Sequence, residues 1–318
     1  MTDGPPTRKD FLMAMAGAAL LTPEAVAEPA RGKLLIVVAH PDDEYAFAAA
    51  TYRLVRECGW AADQVVITNG ESGYRYADLA QVFYGVSLEP TGEGRARLAE
   101  IRQREARHAG KILGIRRHYF LDQKDLGFDT DPASASIANW DRRRLHWFLS
   151  GLLSRENYDT IFTLLPTAQT HRHHRAATLL ALEAVAGLSA ARPLIFGVAA
   201  DDPEQPPLAF AGLPGEPLTR TLAPAPALVF DRASCFGYRE ALNYRIVVNW
   251  LIAEHKSQGL FQNDYSKHRL EQFWLFAASG EDALQRLATF QTLFRAPATQ
   301  TSAAYGQARA AAQTGRSK

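Results

Sequence analysis

Leu34-Leu35-Ile36-Val37-Val38-Ala39 is an unbroken apolar run rich in β-branched residues. A strand of this kind has no polar face to offer water. It must be covered on both sides, as in a parallel sheet flanked by helices. The rest of the pattern agrees. An Ala-rich stretch from Glu44 to Glu57 predicts a helix, and Gln64-Val65-Val66-Ile67-Thr68 a second strand stopped by Asn69-Gly70. Ile101 to Leu113 predicts a helix closed by Gly114, and His118-Tyr119-Phe120-Leu121 a third strand. Leu145 to Ser154 predicts a helix, Thr160 to Leu165 a fourth strand ended by Pro166, and His174 to Ala186 a helix closed by Gly187. This alternation predicts an α/β fold: a Rossmann-like, doubly wound, mostly parallel sheet with helices on both faces.

After Pro193 the pattern loosens. Residues 201–227, rich in proline and glycine, predict a long loop or a small β excursion. Helices are expected at Tyr238 to Gln258 and Asp282 to Phe294. Phe261, Tyr265, Phe273, Trp274 and Phe276 are expected in the core. The segment from Tyr74 to Gly94 is longer than a tight βα connection needs, and is expected to form a rim or lid. One domain is expected over residues 31–296, with a small, polar, disordered tail at 297–318.

Residues 1–30 have the layout of an export signal. A basic pair, Arg8-Lys9, precedes an apolar stretch from Phe11 to Leu21 and the small residues Ala25-Val26-Ala27. The pair resembles a twin-arginine signal with Lys9 in place of the second arginine. A periplasmic or extracellular location is expected on that basis, and a cytoplasmic one if the segment is not a signal.

Composition excludes several classes. The formal net charge is +1, so there is no electrostatic footprint for nucleic acid. No apolar run approaches the roughly 20 residues that an integral membrane helix needs. Two cysteines, Cys58 and Cys235, cannot build a disulfide framework or a Cys-rich zinc site, and both are expected to be buried thiols. No GxGxxG fingerprint supports a dinucleotide site.

Ligands of open α/β sheets bind at the carboxyl ends of the strands. Two segments put metal-capable side chains there. Ala39-His40-Pro41-Asp42-Asp43-Glu44 follows the first strand, and His171-Arg172-His173-His174-Arg175 follows the fourth. Imidazole and carboxylate suit zinc, which takes three protein ligands in catalytic sites; they also suit ferrous iron. His40 and Asp43, three apart at a strand-to-helix turn, can face one point, and His174 is placed to join them. Each segment alone has a plainer explanation. Asp is a frequent helix N-cap, and three histidines in four residues can form a solvated loop. Their joint position at the opening of the sheet favours the metal reading.

The ordered motifs resemble the PIG-L/LmbE family of zinc-dependent N-deacetylases. Residues 39–44 match the family's A-H-P-D-D-E, and Thr68-Asn69-Gly70-Glu71-Ser72-Gly73 resembles its T-[DN]-G-E-x-G. Arg102-Gln103-Arg104-Glu105 with Ile112-Leu113-Gly114-Ile115 resembles its R-x-x-E helix and L-G-[VI] end. Phe120-Leu121-Asp122 with Asp125, the segment His171 to Ala176, and His255-Lys256-Ser257-Gln258 follow in the family's order. The resemblance spans about residues 33–260. It implies His40, Asp43 and His174 as zinc ligands, Asp42 as general base, and His171 as the group that steadies the oxyanion or protonates the leaving amine, acting as a cation. It implies hydrolysis of the acetamide of an N-acetylglucosamine-type small molecule or glycoconjugate. Hydrolysis of another amide or an ester, or a non-catalytic sugar-binding role, are the alternatives.

The chain departs from the pattern at Arg172-His173, where the family has Pro-Asp. The carboxylate that would raise the pKa of His171 is therefore missing, and His173 could reach into the site in place of His171. Glu71, Arg75 and His255 are further candidates for substrate contact. Arg102, Arg104 and Glu105 read as a solvated helix face with a structural ion pair.

Overall fold

Strand β1 (Lys33–Val38) lies in the middle of a seven-stranded sheet. β2 (Ala61–Thr68) pairs with it in parallel on one side and β4 (Thr160–Leu164) on the other. β3 (Ile115–Gln123) continues beyond β2, and β5 (Leu194–Asp201) beyond β4, all parallel. The chain therefore winds outward from β1 in one direction through β3, then returns to the other side of β1 with β4. Its switch point falls between β1 and β4, and the loops leaving these two strands are neighbours.

The computed structural model describes residues 30–127, 139–189, 191–202, 208–264 and 267–295. The expected signal (apart from Ala30), the tail and Tyr265 lie outside the described residues. Every described strand and helix belongs to the compact unit Arg31–Lys318.

Alternate residues of β1 enter two different cores. Leu34, Ile36 and Val38 pack with Phe47, Leu54, Val248 and Phe290. Leu35, Val37 and Ala39 pack with Leu149, Leu180 and Trp274 on the opposite face. Helices cover both sides, as the apolar run demands. α1 (Ala48–Tyr52) is flanked by single turns of 3-10 and π helix, so that residues 43–57 form one helical segment. Next come α2 (Asp78–Tyr84), α3 (Gly92–Leu113), α4 (Arg142–Glu156) and α5 (Arg172–Ala186). α3 starts nine residues earlier than the apolar spacing suggests, because the Thr91 side chain accepts a hydrogen bond from Gly94 N at 3.0 Å and caps it.

The second half holds strands that the sequence pattern does not announce. β5 is followed by β6 (Leu228–Asp231), a two-stranded ribbon of β7 (Cys235–Phe236) and β8 (Leu242–Asn243), and β9 (Leu270–Leu275). β9 runs antiparallel between β5 and β6, and β6 forms the edge of the sheet. It buries Phe273 and Trp274, as expected of the core, with Phe276 just beyond. Gly197 of β5 makes this packing possible: a Cβ there would stand 2.7 Å from the Phe276 ring. The helix expected from Tyr238 begins only at Tyr244 and runs as α6 (Tyr244–Glu254), because Asn243 caps it and the preceding residues form the ribbon. α7 (Ala283–Gln291) lies within the span expected for the last helix. Cys58 is buried, but Cys235 is exposed, since the ribbon leaves it at the surface. Among the described residues no helix is long and apolar enough to cross a membrane.

A buried ion pair fastens the antiparallel part to the switch-point helix. Glu271 of β9 accepts from Ala49 N and Ala50 N, both at 2.9 Å, at the start of α1. Arg232 Nε donates to the same carboxylate at 2.9 Å, and Arg232 Nη2 to Tyr45 O at 2.5 Å. Both side chains are fully buried. Burial raises the pKa of Glu271, and Arg232 with the two amides opposes that rise. Removing one partner of such a pair strands the other charge. Arg232→Leu is expected to lower unfolding stability by about 3–5 kcal/mol, measured by urea denaturation, and a change below about 1 kcal/mol would contradict this role.

Candidate metal centre

Asp43 is fixed by the backbone of its own turn. Its Oδ2 accepts from Ala39 N at 3.0 Å and His40 N at 2.8 Å. The second loop brings His174 across from the first turn of α5, and His174 Nε2 lies 3.0 Å from Asp43 Oδ1. His40 Nδ1 lies 2.9 Å from His174 Nε2 and 3.7 Å from Asp43 Oδ2. Donor atoms that share one zinc at about 2.0–2.2 Å stand roughly 3–3.5 Å apart. One carboxylate and two imidazoles thus present their lone pairs to a single point. His174 keeps 22% of its side chain exposed while His40 and Asp43 are nearly enclosed, so the cluster opens on one side. These residues fit a divalent metal ion with an open position.

The charges agree with that reading. Burial would raise the pKa of Asp43, but His174 and His40 outweigh it and hold the carboxyl well below its usual range. Burial would lower that of His40, but Asp43, and behind it Asp125, outweigh it and raise it.

Asp42 sits beside the cluster in a backbone conformation that non-glycine residues avoid, with φ 137° and ψ −22°. It is 3% exposed. Arg102 holds it there: Arg102 Nη2 donates to Asp42 Oδ2 at 2.6 Å and to Pro41 O at 2.7 Å, while Nη1 donates to Gly70 O at 2.8 Å. Burial pushes the Asp42 carboxyl up to about 6, with Arg102 opposing. Arg102 and Glu105 are therefore not a solvated face. They are 3% and 1% exposed, and Glu105 binds Ser257 N at 2.9 Å, Ser257 Oγ at 2.5 Å and the Tyr84 hydroxyl at 2.9 Å. The i, i+3 spacing of the two charges could have shown that they share one side of α3; Arg104, between them, is exposed.

Glu44 is a further member that spacing did not single out. Its Oε2 accepts from Asp42 N at 3.1 Å and Gln64 Nε2 at 3.2 Å, and its Oε1 lies 2.8 Å from His255 Nε2. His255 is 1% exposed and so does not line the opening. It stands behind Glu44 and braces the Asp42 turn. Burial would lower its pKa, but Glu44 outweighs it and raises it. Glu71 ties the loop after β2 to the loop after β3 by accepting from Asp125 N at 2.9 Å, and its Oε2 is buried without a protein partner. Arg75 is exposed on the 3-10 turn Gly73–Tyr76. α2, in the long connection after it, leaves Leu79, Val82 and Phe83 exposed.

His171 and His173 both enter the cluster. His171 caps α5, its Nδ1 accepting from His173 N at 3.0 Å. With Nδ1 engaged as acceptor, the ring proton belongs on Nε2. Burial, joined by His40, His174 and His173, drives the His171 pKa down to about 2. That direction runs against the cationic His171 expected from the sequence: enclosure among other imidazoles favours the neutral ring. His173 is fully buried, with Nδ1 3.1 Å from His40 Nε2 and 3.5 Å from Asp125 Oδ1. A separate groove of about 520 Å³, lined in part by Arg107, Phe120, Arg144 and Trp147, shares no residue with the cluster.

Residues 35–185 match the sequence model of PIG-L, GlcNAc-PI de-N-acetylase. No curated protein matches the sequence. Among solved structures, the chain is similar to N,N'-diacetylchitobiose deacetylase from Pyrococcus horikoshii, with a TM-score of 0.50 and 17% identity over 87% of this chain and 96% of that one. It also matches GalB, the 4-carboxy-2-hydroxymuconate hydratase from Pseudomonas putida KT2440, with a TM-score of 0.47 and 18% identity over 77% and 95% of the two chains. The A40926 pseudoaglycone deacetylase Dbv21 follows at 0.43 and 15% over 80% and 100%. At such identity the first likeness shows a shared fold. Residues 35–185 thus resemble the PIG-L family in sequence, on a fold shared with that deacetylase.

Proposed function

We propose that the chain is a zinc-dependent N-deacetylase that hydrolyses the acetamide of an N-acetylglucosamine-type sugar conjugate, with His40, Asp43 and His174 as ligands. The observation that carries this reading is the strained, buried Asp42 set against the three convergent donors. A binding protein gains nothing from holding a second carboxylate beside the ligands at a cost in backbone strain. The donor set suits ferrous iron as well.

A bound zinc or ferrous ion supplies Lewis acidity, which polarises a carbonyl and activates a water. The chain's own groups do the rest. Asp42, with its carboxyl near 6, is ionised at neutral pH and takes the proton of the attacking water. Arg102 keeps that carboxylate aimed by holding both it and the adjacent Pro41 carbonyl. The neutral Nε2–H of His171 donates to the carbonyl oxygen as charge develops there. The C–N bond breaks, the amine leaves with the proton that Asp42 received, and acetate remains. Residues that recognise the sugar are sought on the rim, at Glu71 and Arg75. The basic, apolar and small regions of residues 1–30 support export, so that the enzyme would meet its substrate outside the cytoplasm.

Purified protein is expected to release acetate from N-acetylglucosamine or its simple conjugates, and to lose that activity to a chelator and regain it with zinc. Stoichiometric zinc with no release from any acetamido sugar would defeat the proposal. Asp42→Asn is expected to lower kcat by about 10²–10⁴ with zinc content unchanged, whereas His174→Ala is expected to lose the zinc itself. Arg102→Met leaves Asp42 buried without its cation. It is expected to retain zinc, lower kcat at least roughly tenfold, and cost about 3 kcal/mol or more of stability. Wild-type kcat in that variant would remove Arg102 from the machinery.

A further inference from the structure

His173 occupies the position at which this chain departs from the pattern its motifs otherwise follow. It is fully buried, its ring centroid 5.1 Å from that of Trp140, with Nδ1 3.1 Å from His40 Nε2. His40 turns its other nitrogen, Nδ1, toward His174 Nε2 and Asp43 Oδ2. An ion held by His40, Asp43 and His174 takes the Nδ1 lone pair, which leaves the ring proton of His40 on Nε2. His40 is 8% exposed, so this N–H needs an acceptor within the protein. Ligand histidines usually donate the second N–H to a carboxylate, a backbone carbonyl or water, and that bond sets the tautomer and the ring orientation.

The atom that faces His40 Nε2 is His173 Nδ1. Asp125 Oδ1 is 3.5 Å from His173 Nδ1, beyond a hydrogen bond, so it contributes charge rather than an acceptor contact. The opposite tautomer of His173, with its proton on Nδ1, would set two N–H groups head to head across 3.1 Å. We infer that His173 is a positioning residue for the metal. Its Nδ1 accepts the Nε2–H of the ligand His40, in place of a carboxylate, and holds that ring in the tautomer and orientation that metal binding needs. This rests on the reading of His40, Asp43 and His174 as the ligand set.

The acceptor can be removed or kept without touching a ligand. His173→Leu removes it, and His173→Phe does so while preserving an aromatic ring beside Trp140. His173→Asn keeps an acceptor, since its Oδ1 lies where the ring Nδ1 was. Zinc affinity is measured by competition with a chromophoric chelator, zinc content by elemental analysis, and the ligand field by the visible spectrum of the cobalt-substituted protein. Melting of each metal-free variant serves as the check on folding, and whichever of the Leu and Phe variants melts near wild type is used.

The expected result is one zinc per chain in wild type. Affinity then falls about 10–100-fold in the variant without the acceptor, with an altered cobalt spectrum, and returns to within about threefold of wild type in His173→Asn. Unchanged affinity in every variant would overturn the inference while leaving the ligand set intact. Equal losses in His173→Asn and in the acceptor-free variant would overturn it too, by showing that the acceptor atom is not what matters. Two zinc ions in wild type, one of them lost with His173, would make His173 a ligand of a second ion instead. Failure of wild type to bind any divalent ion would overturn the inference together with the ligand set beneath it.

Discussion

One guanidinium holds the parts of the site together. Arg102 projects from α3 and donates to the carbonyl of Pro41, the carboxylate of Asp42 and the carbonyl of Gly70. It thereby joins the loop after β1 to the loop after β2, and both to a helix that packs elsewhere in the core. Burying a guanidinium is costly unless its N–H groups find acceptors, and here both Nη groups find them while Nε has no protein partner. A planar fork with a fixed spread of N–H groups answers several at once, which a lysine could not do. The same contacts oppose the strain at Asp42, whose φ of 137° would relax if the turn were free to move. Gly70 cannot be replaced within this arrangement, because a Cβ would lie 2.2 Å from Arg102 Nη1.

Around that clamp the buried polar groups pair outward in layers. Glu44 ties the Asp42 backbone to His255, and Glu105 ties α3 to Ser257 two residues later. The segment 255–258 is thus fastened to both acidic groups, although it lies more than a hundred residues from either in sequence. On the far side of α1, Glu271 and Arg232 repeat the device at the join between the parallel and antiparallel strands. Glu44, Glu105 and Glu271 each accept from backbone amides as well as from their side-chain partners, which offsets part of the cost of burying them. The sheet supplies the switch point, and these pairs fix the angle at which its loops meet.

Half of the fold was legible because its constraints are local. The β1 run, with no polar face, could only be a doubly covered strand, and the turn residues after β2, α3, β4 and α5 punctuate the chain clearly. β5 and β9 escaped because Leu194–Asp201 and Leu270–Leu275 carry glycine, acidic or amide residues in the run, and their burial depends on strands distant in sequence. In the site, His40, Asp43 and His174 were readable from position on the sheet, and the structure brings their donor atoms together. Arg102 and Glu105 were not: two charges on one side of a helix look the same in sequence whether that side meets water or a buried loop. His255 stands out in the sequence, but its place behind Glu44 follows from the course of α6, which no spacing encodes. The downward pull on the His171 pKa comes from burial and from three other imidazoles gathered from two loops, a collective property that no single residue announces.

The balance of charge around the cluster explains why these groups tolerate one another. Asp43, Glu44 and Asp125 are all held below the usual carboxylate range despite burial, and Asp42 is ionised at neutral pH. Arg102 faces Asp42, and His255 faces Glu44, which raises the pKa of its imidazole. Carboxylates are thus gathered closely in a region that opens on one side. The upward pull on His40 is a symptom of that gathering. His171, set deeper among rings, goes the other way. A divalent cation at the point where His40, Asp43 and His174 converge would offset the carboxylates gathered there. The lone pairs that stand about 3 Å apart would then face a positive centre instead of one another. A cation held there would belong to the same set of buried charges that gives the loops their shape.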